Sequence, residues 1–110
     1  MDDPWKPLEE KYEKQNPHFE CDIGWYDLLD DLLGQLVKMN PDFTVHQIKE
    51  KFGTLRFYCQ STTEEQDELV TKMEDRSADL CESCGDAGDI RGSGWVRTLC
   101  DECDRERRRV

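Results

Sequence analysis

Apolar residues recur at helical spacing in three parts of the chain, which predicts helices at residues 4–15, 24–39 and 63–80. The middle segment has the widest apolar stripe, which consists of Trp25, Leu28, Leu29, Leu32, Leu33, Leu36 and Val37. The third segment follows two adjacent threonines, and each has a Glu or Gln three residues later, the pattern of a capping box. We therefore expect a body built largely from amphipathic helices.

Alternating polar and apolar residues predict a β-hairpin over residues 43–60, with its turn at Phe52-Gly53. Strict alternation directs one set of side chains inward: Ile48, Leu55, Phe57 and Cys59, with His46 beside them. It directs the opposite set outward: Gln47, Lys49, Lys51, Arg56 and Tyr58. If the turn has two residues, Lys49 lies directly opposite Arg56.

Four of the six cysteines stand in a pattern that is typical of a zinc site. Cys81 and Cys84 form one C-x2-C pair, and Cys100 and Cys103 form a second pair after fifteen intervening residues. Tetrahedral zinc takes four soft ligands, and a two-residue gap lets both sulfurs of a pair turn inward on one loop. Since four thiolates leave no open position, the predicted zinc ion is structural. The other two cysteines, Cys21 and Cys59, are expected to be free thiols.

The residues around these pairs predict a knuckle, a hairpin and a helix, which is the order of a treble-clef zinc finger. Gly85 supplies a turn after the first pair. Two short strands can pair across the loop Gly92-Ser93-Gly94, and a helix can run from residue 101 to residue 110. Several arginines are expected near the negative end of that helix: Arg105, Arg107, Arg108 and Arg109.

The predicted fold class is therefore α+β, with helices packed on a small antiparallel hairpin sheet and a treble-clef-like zinc finger at the C-terminus. Residues 1–80 form an acidic body in this interpretation, and residues 81–110 form the zinc module. Only 35% of the residues are hydrophobic and 37% are charged, so a bound metal would supplement a modest core.

The charge of the chain is strongly negative, with a net value of −11. Residues 1–80 contain 19 acidic and 9 basic residues. Such a molecule repels nucleic acid at long range and associates fastest with positively charged surfaces. The first residues contain no apolar stretch of a secretory signal, and no segment has the length of a membrane span. We therefore expect an intracellular protein that does not act at a membrane.

Four short segments together resemble a poorly characterised family of small phage and bacterial proteins: GWY at residues 24–26, KEKFGTLRFY at 49–58, CESCG at 81–85 and GWVRTLC at 94–100. The likeness covers roughly residues 24–103. Members of the family commonly have a His where Cys103 stands, and His would still bind zinc. The resemblance implies a phage or prophage origin, a zinc finger and the cytoplasm of a bacterial host cell. It implies no activity.

Three groups of charged or aromatic residues are candidate partner-binding surfaces. The outward hairpin face has the first group: Lys49, Lys51, Arg56 and Tyr58. Its positive charges need an answering group, which could be Glu50 or a helix carboxylate, a nucleic-acid phosphate, or an acidic protein patch. The second group lies on the zinc hairpin: Arg91, Trp95 and Arg97, although we expect Trp95 to pack over the metal loops. The third group lies on the main helix and could either imitate phosphates or be solvated: Asp27, Asp30 and Asp31.

These observations predict a non-enzymatic, zinc-containing protein that occupies a surface of a host macromolecule. Its negative charge favours a partner protein with a basic or nucleic-acid-binding surface, and inhibition of a defence complex is one version. One alternative is a protein that binds nucleic acid directly through the basic hairpin face. Another is a metal-dependent hydrolase, which would need a second, open metal site. The sequence contains neither a serine-nucleophile elbow nor a phosphate loop, and His46 and Cys59 lack a third orienting group.

Overall fold

Helices and strands are mixed along the chain in the computed structural model, which describes residues 3–92 and 94–108. The α-helices are α1 (Lys6–Lys11), α2 (Tyr26–Met39), α3 (Glu64–Ser77) and α4 (Asp101–Arg108). The strands are β1 (Phe19–Glu20), β2 (Thr44–Lys51), β3 (Thr54–Gln60), β4 (Asp89–Arg91) and β5 (Arg97–Leu99). Short 3-10 helices, Glu13–Gln15 and Ile23–Trp25, precede β1 and α2. This content is that of an α+β fold, as predicted.

The main sheet has three strands in the order β1-β2-β3, and it is mixed rather than purely antiparallel. β2 and β3 form the predicted hairpin, and Lys49 pairs with Arg56 as predicted. β1 adds to the other edge of β2 in parallel, with Phe19 beside Ile48. The expectation of a sheet made from the antiparallel hairpin alone was therefore wrong. β1 was not predicted because a strand of two residues is too short to show an alternation of polar and apolar positions.

His46 does not lie beside the inward residues, so that part of the sequence prediction was wrong. A β-bulge between Val45 and Gln47 shifts the register of β2, so that Val45 is buried and His46 is exposed. The His46 Nε2 atom lies 2.6 Å from the side-chain oxygen of Gln60. His46 and Cys59 therefore do not meet on the inner face.

The hydrophobic core lies between the inner face of the sheet and the helices α2 and α3. It is built from the predicted stripe of α2 and the inward residues of the hairpin, together with Trp5, Leu8 and Tyr12 of the N-terminal segment. The ring of Trp5 stacks on Phe19 of β1, with 4.4 Å between the ring centroids. This contact joins the N-terminal helix to the edge of the sheet.

Two buried polar side chains tie α3 to its neighbours. Thr63 caps the helix in a capping box with Gln66, as one of the two predicted threonines. The Gln66 amide also donates to two carbonyl groups at the end of α2, both at 2.9 Å. At the other end of α3, the hydroxyl of Ser77 accepts a hydrogen bond of 2.8 Å from the backbone N–H of Leu55. The helix is thus fixed against both α2 and β3.

The C-terminal segment follows the predicted order of loop, hairpin and helix. A turn containing Cys81 and Cys84 leads to the two-stranded sheet β4-β5, and α4 begins directly after Cys100. Of the residues predicted to build this segment, Ser93 and Arg109 lie outside the described residues, as does the side chain of Arg108. Among the described helices, none combines the length and apolar character that crossing a membrane requires.

Candidate metal centre

The four predicted ligands come together in one cluster. The sulfur atoms of Cys81, Cys84, Cys100 and Cys103 all lie within 4.8 Å of one another, so the cluster could hold a metal ion. The Cys84 and Cys100 sulfurs are 3.7 Å apart. A tetrahedral ion with bonds of about 2.3 Å to sulfur has sulfur–sulfur edges of about 3.8 Å, whereas a disulfide bond is about 2.05 Å long. The geometry therefore suits four thiolates around one ion.

Local backbone hydrogen bonds position both pairs. In the first pair, the N–H of Gly85 donates to the carbonyl of Cys81 at 2.8 Å, and the N–H of Cys81 donates to Asp86 at 2.7 Å. Gly85 has a φ of +88°, which agrees with the predicted turn. In the second pair, the N–H of Cys103 in the first turn of α4 points at the Cys100 sulfur, 3.4 Å away. The N-terminus of α4 thus directs an N–H group at the cluster, and the first cysteine loop is closed by hydrogen bonds within its own backbone.

The surroundings of the four sulfurs change the pKa of Cys81 and of Cys103 in opposite directions. Burial raises the pKa of the Cys81 thiol, but hydrogen bonds from the backbone of Cys100, Cys84 and Ser83 outweigh it and lower the pKa to about 7. The pKa of Cys103 is raised, chiefly by its hydrogen bond with the Cys100 side chain and by burial. Four crowded thiolates repel one another, so a divalent cation is the group that would allow all four to lose their protons.

The cluster can bind a metal but offers it no free position. Four protein sulfurs complete a tetrahedral coordination sphere, which is the arrangement of structural rather than catalytic sites. Cys81 is fully buried and Cys84 is exposed, so the cluster lies at the surface of the molecule. Substrate binding at such an ion would require the loss of a sulfur ligand.

The first cysteine loop is attached to the body through the 3-10 helix that precedes α2. The N–H of Gly24 donates to the carbonyl of Glu82 at 2.7 Å, and the indole N–H of Trp25 donates to the carbonyl of Leu80 at 3.1 Å. A Cβ atom built on Gly24 would overlap the carbonyl oxygens of Cys81 and Glu82. Only a glycine allows the two backbones to approach this closely.

Glu82 is a buried charge at the same junction, which the sequence analysis did not identify. Its exposed fraction is only 4%. Its carboxylate accepts from the N–H of Asp22 at 3.3 Å and lies 3.4 Å from the guanidinium of Arg97. Burial raises the pKa of Glu82, and Arg97 partly opposes that rise. Glu82 stands between two predicted metal ligands, and nothing in that sequence pattern indicates that its side chain is buried.

Thr98 forms the second attachment and was also missed. Its buried hydroxyl donates to the carbonyl of Gly53 in the turn of the main hairpin, at 2.5 Å. Its own carbonyl accepts from the N–H of Glu82 at 3.0 Å. The turn of the main hairpin, the strand β5 and the first cysteine loop are thus connected through one residue.

The two arginines that were predicted to meet a partner form ion pairs within the chain. Arg91 lies 2.5 Å from Asp101 and 3.4 Å from Asp104, which joins β4 to α4, the helix that contains Cys103. Arg97 lies 2.5 Å from Asp22 and therefore joins β5 to the body. Both side chains are mostly covered. Each arginine therefore has a structural role in the chain, because it joins two elements through an ion pair.

Trp95 does not pack over the metal loops, so that prediction was wrong. Its side chain is 76% exposed. It lies just before β5, where Thr98 and Leu99 already fill the buried side of the module. Its backbone carbonyl accepts a hydrogen bond of 3.1 Å from Arg107 of α4.

The outward hairpin face presents the predicted side chains, and Glu50 does not answer their charge. Glu50 pairs with Leu55 on the inner side, and its carboxylate accepts from the N–H of Gly53 at 2.7 Å. Within the described ranges, Lys49, Lys51 and Arg56 form no ion pair. The Nε atom of Arg56 is buried there without a hydrogen-bond partner. Tyr58 lies on the same face and is 46% exposed.

The three aspartates of α2 have different surroundings. Asp30 accepts hydrogen bonds from Tyr12 at 2.7 Å and from Lys11 at 3.0 Å, and these two contacts, Tyr12 first, lower its pKa. Asp27 and Asp31 are exposed and make no ion pair with the described residues. They line a cavity of about 370 Å³, here called the α2 cleft, with these further lining residues: Ile23, Gly24, Tyr26, Leu28, Arg76, Leu80, Cys84, Gly85 and Asp86.

Comparison of the chain with protein-family models, with curated proteins and with solved structures finds no match. The residues themselves are therefore the whole basis for a functional assignment.

Proposed function

We propose that this chain is a non-enzymatic, zinc-stabilised binding protein that occupies a basic surface of a partner protein. The observation that supports it best is the α2 cleft. Asp27 and Asp31 project from a rigid helix into this cleft, and Asp86 adds a third carboxylate against the single cation of Arg76. A net charge of −11 would speed association with a basic surface.

Zinc is the metal we propose for the cluster, within a treble-clef-like finger. Four thiolates select zinc or iron–sulfur chemistry among common metals, and a single tetrahedral ion suits zinc. The finger contributes stability and shapes one wall of the α2 cleft through Cys84 and Gly85. Metal analysis of the purified chain should find one zinc ion per molecule. Among the described residues one cluster of suitable ligands is found. A second metal ion would therefore need a different site, and it would favour the hydrolase alternative.

The phage origin, the bacterial cytoplasm and the inhibition of a nucleic-acid-handling or defence complex remain part of this proposal. They depend on the family resemblance and on the acidity of the chain. A protein that covers the nucleic-acid-binding surface of a host complex needs exposed carboxylates on a rigid support, and α2 provides both.

The test is affinity capture from a bacterial lysate with three matched proteins. Wild type should capture a basic protein, and Asp27→Asn combined with Asp31→Asn should weaken that capture. The control changes charge equally but outside the α2 cleft, with Glu68→Gln and Asp75→Asn on the exposed side of α3. Equal capture by all three proteins would contradict the proposed role of the cleft. Absence of any captured protein would contradict the function.

A second candidate, direct binding of nucleic acid, is favoured by one observation. Lys49, Lys51 and Arg56 stand together without carboxylate partners in the described part of the chain, and the Arg56 Nε atom lacks an acceptor. The ion pairs of Arg91 and Arg97 weaken this candidate, because these two cations of the second hairpin are paired within the chain and do not extend the basic face. Binding of short DNA or RNA at low salt that disappears in Lys49→Glu with Arg56→Glu would favour it.

A further inference from the structure

Two aromatic rings stand at the tips of two different hairpins and share one cavity. Phe52, in the turn between β2 and β3, is 66% exposed, and Trp95, next to β5, is 76% exposed. Both line a cavity of about 390 Å³ together with Glu50, Gly94 and Val96. Single exposed apolar residues are ordinary, but two large rings on one concave surface are typical of a binding site.

The backbone of Phe52 has a strained conformation at this position. Its φ is +54°, in the left-handed region that a bulky side chain seldom adopts. Two-residue hairpin turns favour Asn or Gly there. Since Phe52 is mostly exposed, packing against the core does not offset the strain. A strained residue whose side chain faces solvent is a reason to look for a ligand.

The surroundings of the rings are rich in carboxylates. A second cavity of about 340 Å³ shares Glu50 and Trp95 with the first, so the two form one furrow. The remaining lining residues of this second part are Glu20, Cys21, Asp22, Glu82 and Arg97. The charge of Arg97 is already answered by Asp22 and Glu82, which leaves the exposed Glu20 and the half-buried Glu50 for a ligand. The furrow therefore combines aromatic faces with negative charge.

The ring of Phe52 already lies close to one cation. The ammonium group of Lys51 is 5.6 Å from the centroid of the Phe52 ring, within the range of a cation–π interaction. A guanidinium group can also stack on an indole such as Trp95 and pair with a carboxylate in the same plane. These preferences point to arginine as the side chain that fits the furrow.

We infer that this furrow binds an arginine-bearing segment of a partner protein, with Trp95 and Phe52 contacting the guanidinium group and Glu20 and Glu50 compensating its charge. The inference rests on the proposed function, since it assumes a basic protein partner. It adds a site that is separate from the α2 cleft, because the furrow and that cleft share no lining residue.

The experiment measures the binding of a deca-arginine peptide to the full-length, zinc-loaded chain by titration calorimetry at low and high salt. Trp95→Ala and Phe52→Asn should each lower the affinity about fivefold, which corresponds to about 1 kcal/mol for one cation–π contact. Neither change alters the charge of the protein. Ile90→Ala is the matched control, because Ile90 is an exposed apolar side chain of β4 that lines neither the furrow nor the α2 cleft, and its affinity should equal that of wild type.

Phe52→Asn provides a second readout that a structural role would not produce. Asparagine tolerates the left-handed conformation, so the variant should melt at a higher temperature than wild type while it binds the peptide more weakly. Unchanged affinity in both Phe52→Asn and Trp95→Ala would overturn the furrow. If Asp27→Asn with Asp31→Asn then still weakened binding, the proposed function would stand without it.

Two other results would overturn both ideas. The first is a wild-type chain that does not bind deca-arginine at low salt, because neither the furrow nor the α2 cleft would then recognise a basic segment. The second is preferential binding of a short oligonucleotide over deca-arginine, which would favour the basic sheet face as the functional surface.

Discussion

Replacing Gly24 by alanine should separate the four-cysteine segment after α3, here called the metal module (residues 81–108), from the helical body. The new methyl group would overlap the carbonyl oxygens of Cys81 and Glu82. Those atoms belong to backbone that is fixed on one side by the cysteine cluster and on the other by β5. Relief therefore requires a shift of the whole first cysteine loop rather than of a side chain.

The size of the effect follows from what that shift breaks. The hydrogen bond from the Gly24 N–H to Glu82 and the bond from the Trp25 indole to Leu80 would both be lost or lengthened. Each is worth about 1 kcal/mol, and overpacking in a closed site costs about 2 kcal/mol more, so we expect a loss of about 4 kcal/mol. This is a large part of the roughly 5–15 kcal/mol by which a domain is stable.

Gly34→Ala is the matched control. Gly34 lies inside α2, where a Cβ atom would have the Tyr12 hydroxyl as its nearest neighbour, at 3.2 Å. Alanine favours a helix by about 1 kcal/mol over glycine, which offsets this tight contact. Urea unfolding followed by tryptophan fluorescence, with metal content measured on the same samples, compares the two variants. A Gly24→Ala protein with the stability and metal content of wild type would refute the close approach.

Three further predictions concern the metal, an ion pair and a thiol. Removal of the metal by a chelator should destabilise residues 81–108 by on the order of 10 kcal/mol. Hydrogen exchange should then show lost amide protection in these residues but not in α2. Protection that persists would count against a structural metal. Asp30→Asn should lower stability by about 0.5 kcal/mol at neutral pH. Because its folded-state pKa is lowered, the contribution of Asp30 is complete above about pH 4 and is lost as the pH falls through the folded-state pKa, so urea unfolding should show the two proteins converging in acid. Burial raises the pKa of Cys21 to about 12, which leaves little of the reactive thiolate at pH 8. Iodoacetamide should therefore modify Cys21 about a thousand times more slowly than a free peptide thiol, as followed by mass spectrometry. A comparable rate would contradict the burial.

The sequence was sufficient for the parts of the fold that have a long period or a fixed spacing. The helix α2, predicted at residues 24–39 and observed at Tyr26–Met39, follows from repeated apolar positions, and the pairing of Lys49 with Arg56 follows from a two-residue turn. The clustering of the four cysteines follows from C-x2-C spacing. In each case several residues follow the same periodicity or spacing, so one irregular position does not change the prediction.

The parts that were missed depend on single residues or on distant contacts. The bulge at His46 changes the direction of one side chain without changing the composition of β2. The partners of Arg97 illustrate the second kind, because Asp22 stands 75 residues away in the chain. A positive charge without a neighbouring carboxylate in sequence was therefore assigned to a partner. The prediction that Trp95 packs over the metal loops was wrong for a related reason. A large apolar side chain is buried only where the fold leaves space for it, and Thr98 and Leu99 already fill the buried side of this segment.

Four short segments that are distant in the chain meet at one interface: residues 24–26, 49–58, 81–85 and 94–100. Gly24 of the first lies against the cysteine loop of the third, and Gly53 of the second accepts a hydrogen bond from Thr98 of the fourth. At this interface backbones touch directly, so these residues are explained by the docking of the metal module on the body.

Phe52 and Trp95 belong to the same segments but are not explained by that docking. Both are exposed, and Phe52 keeps a backbone conformation that asparagine or glycine would adopt with less strain. If stability alone determined these positions, a smaller residue would be preferred at each. Packing and backbone preference therefore do not account for the two rings, and the inferred binding of an arginine side chain in the furrow would account for them.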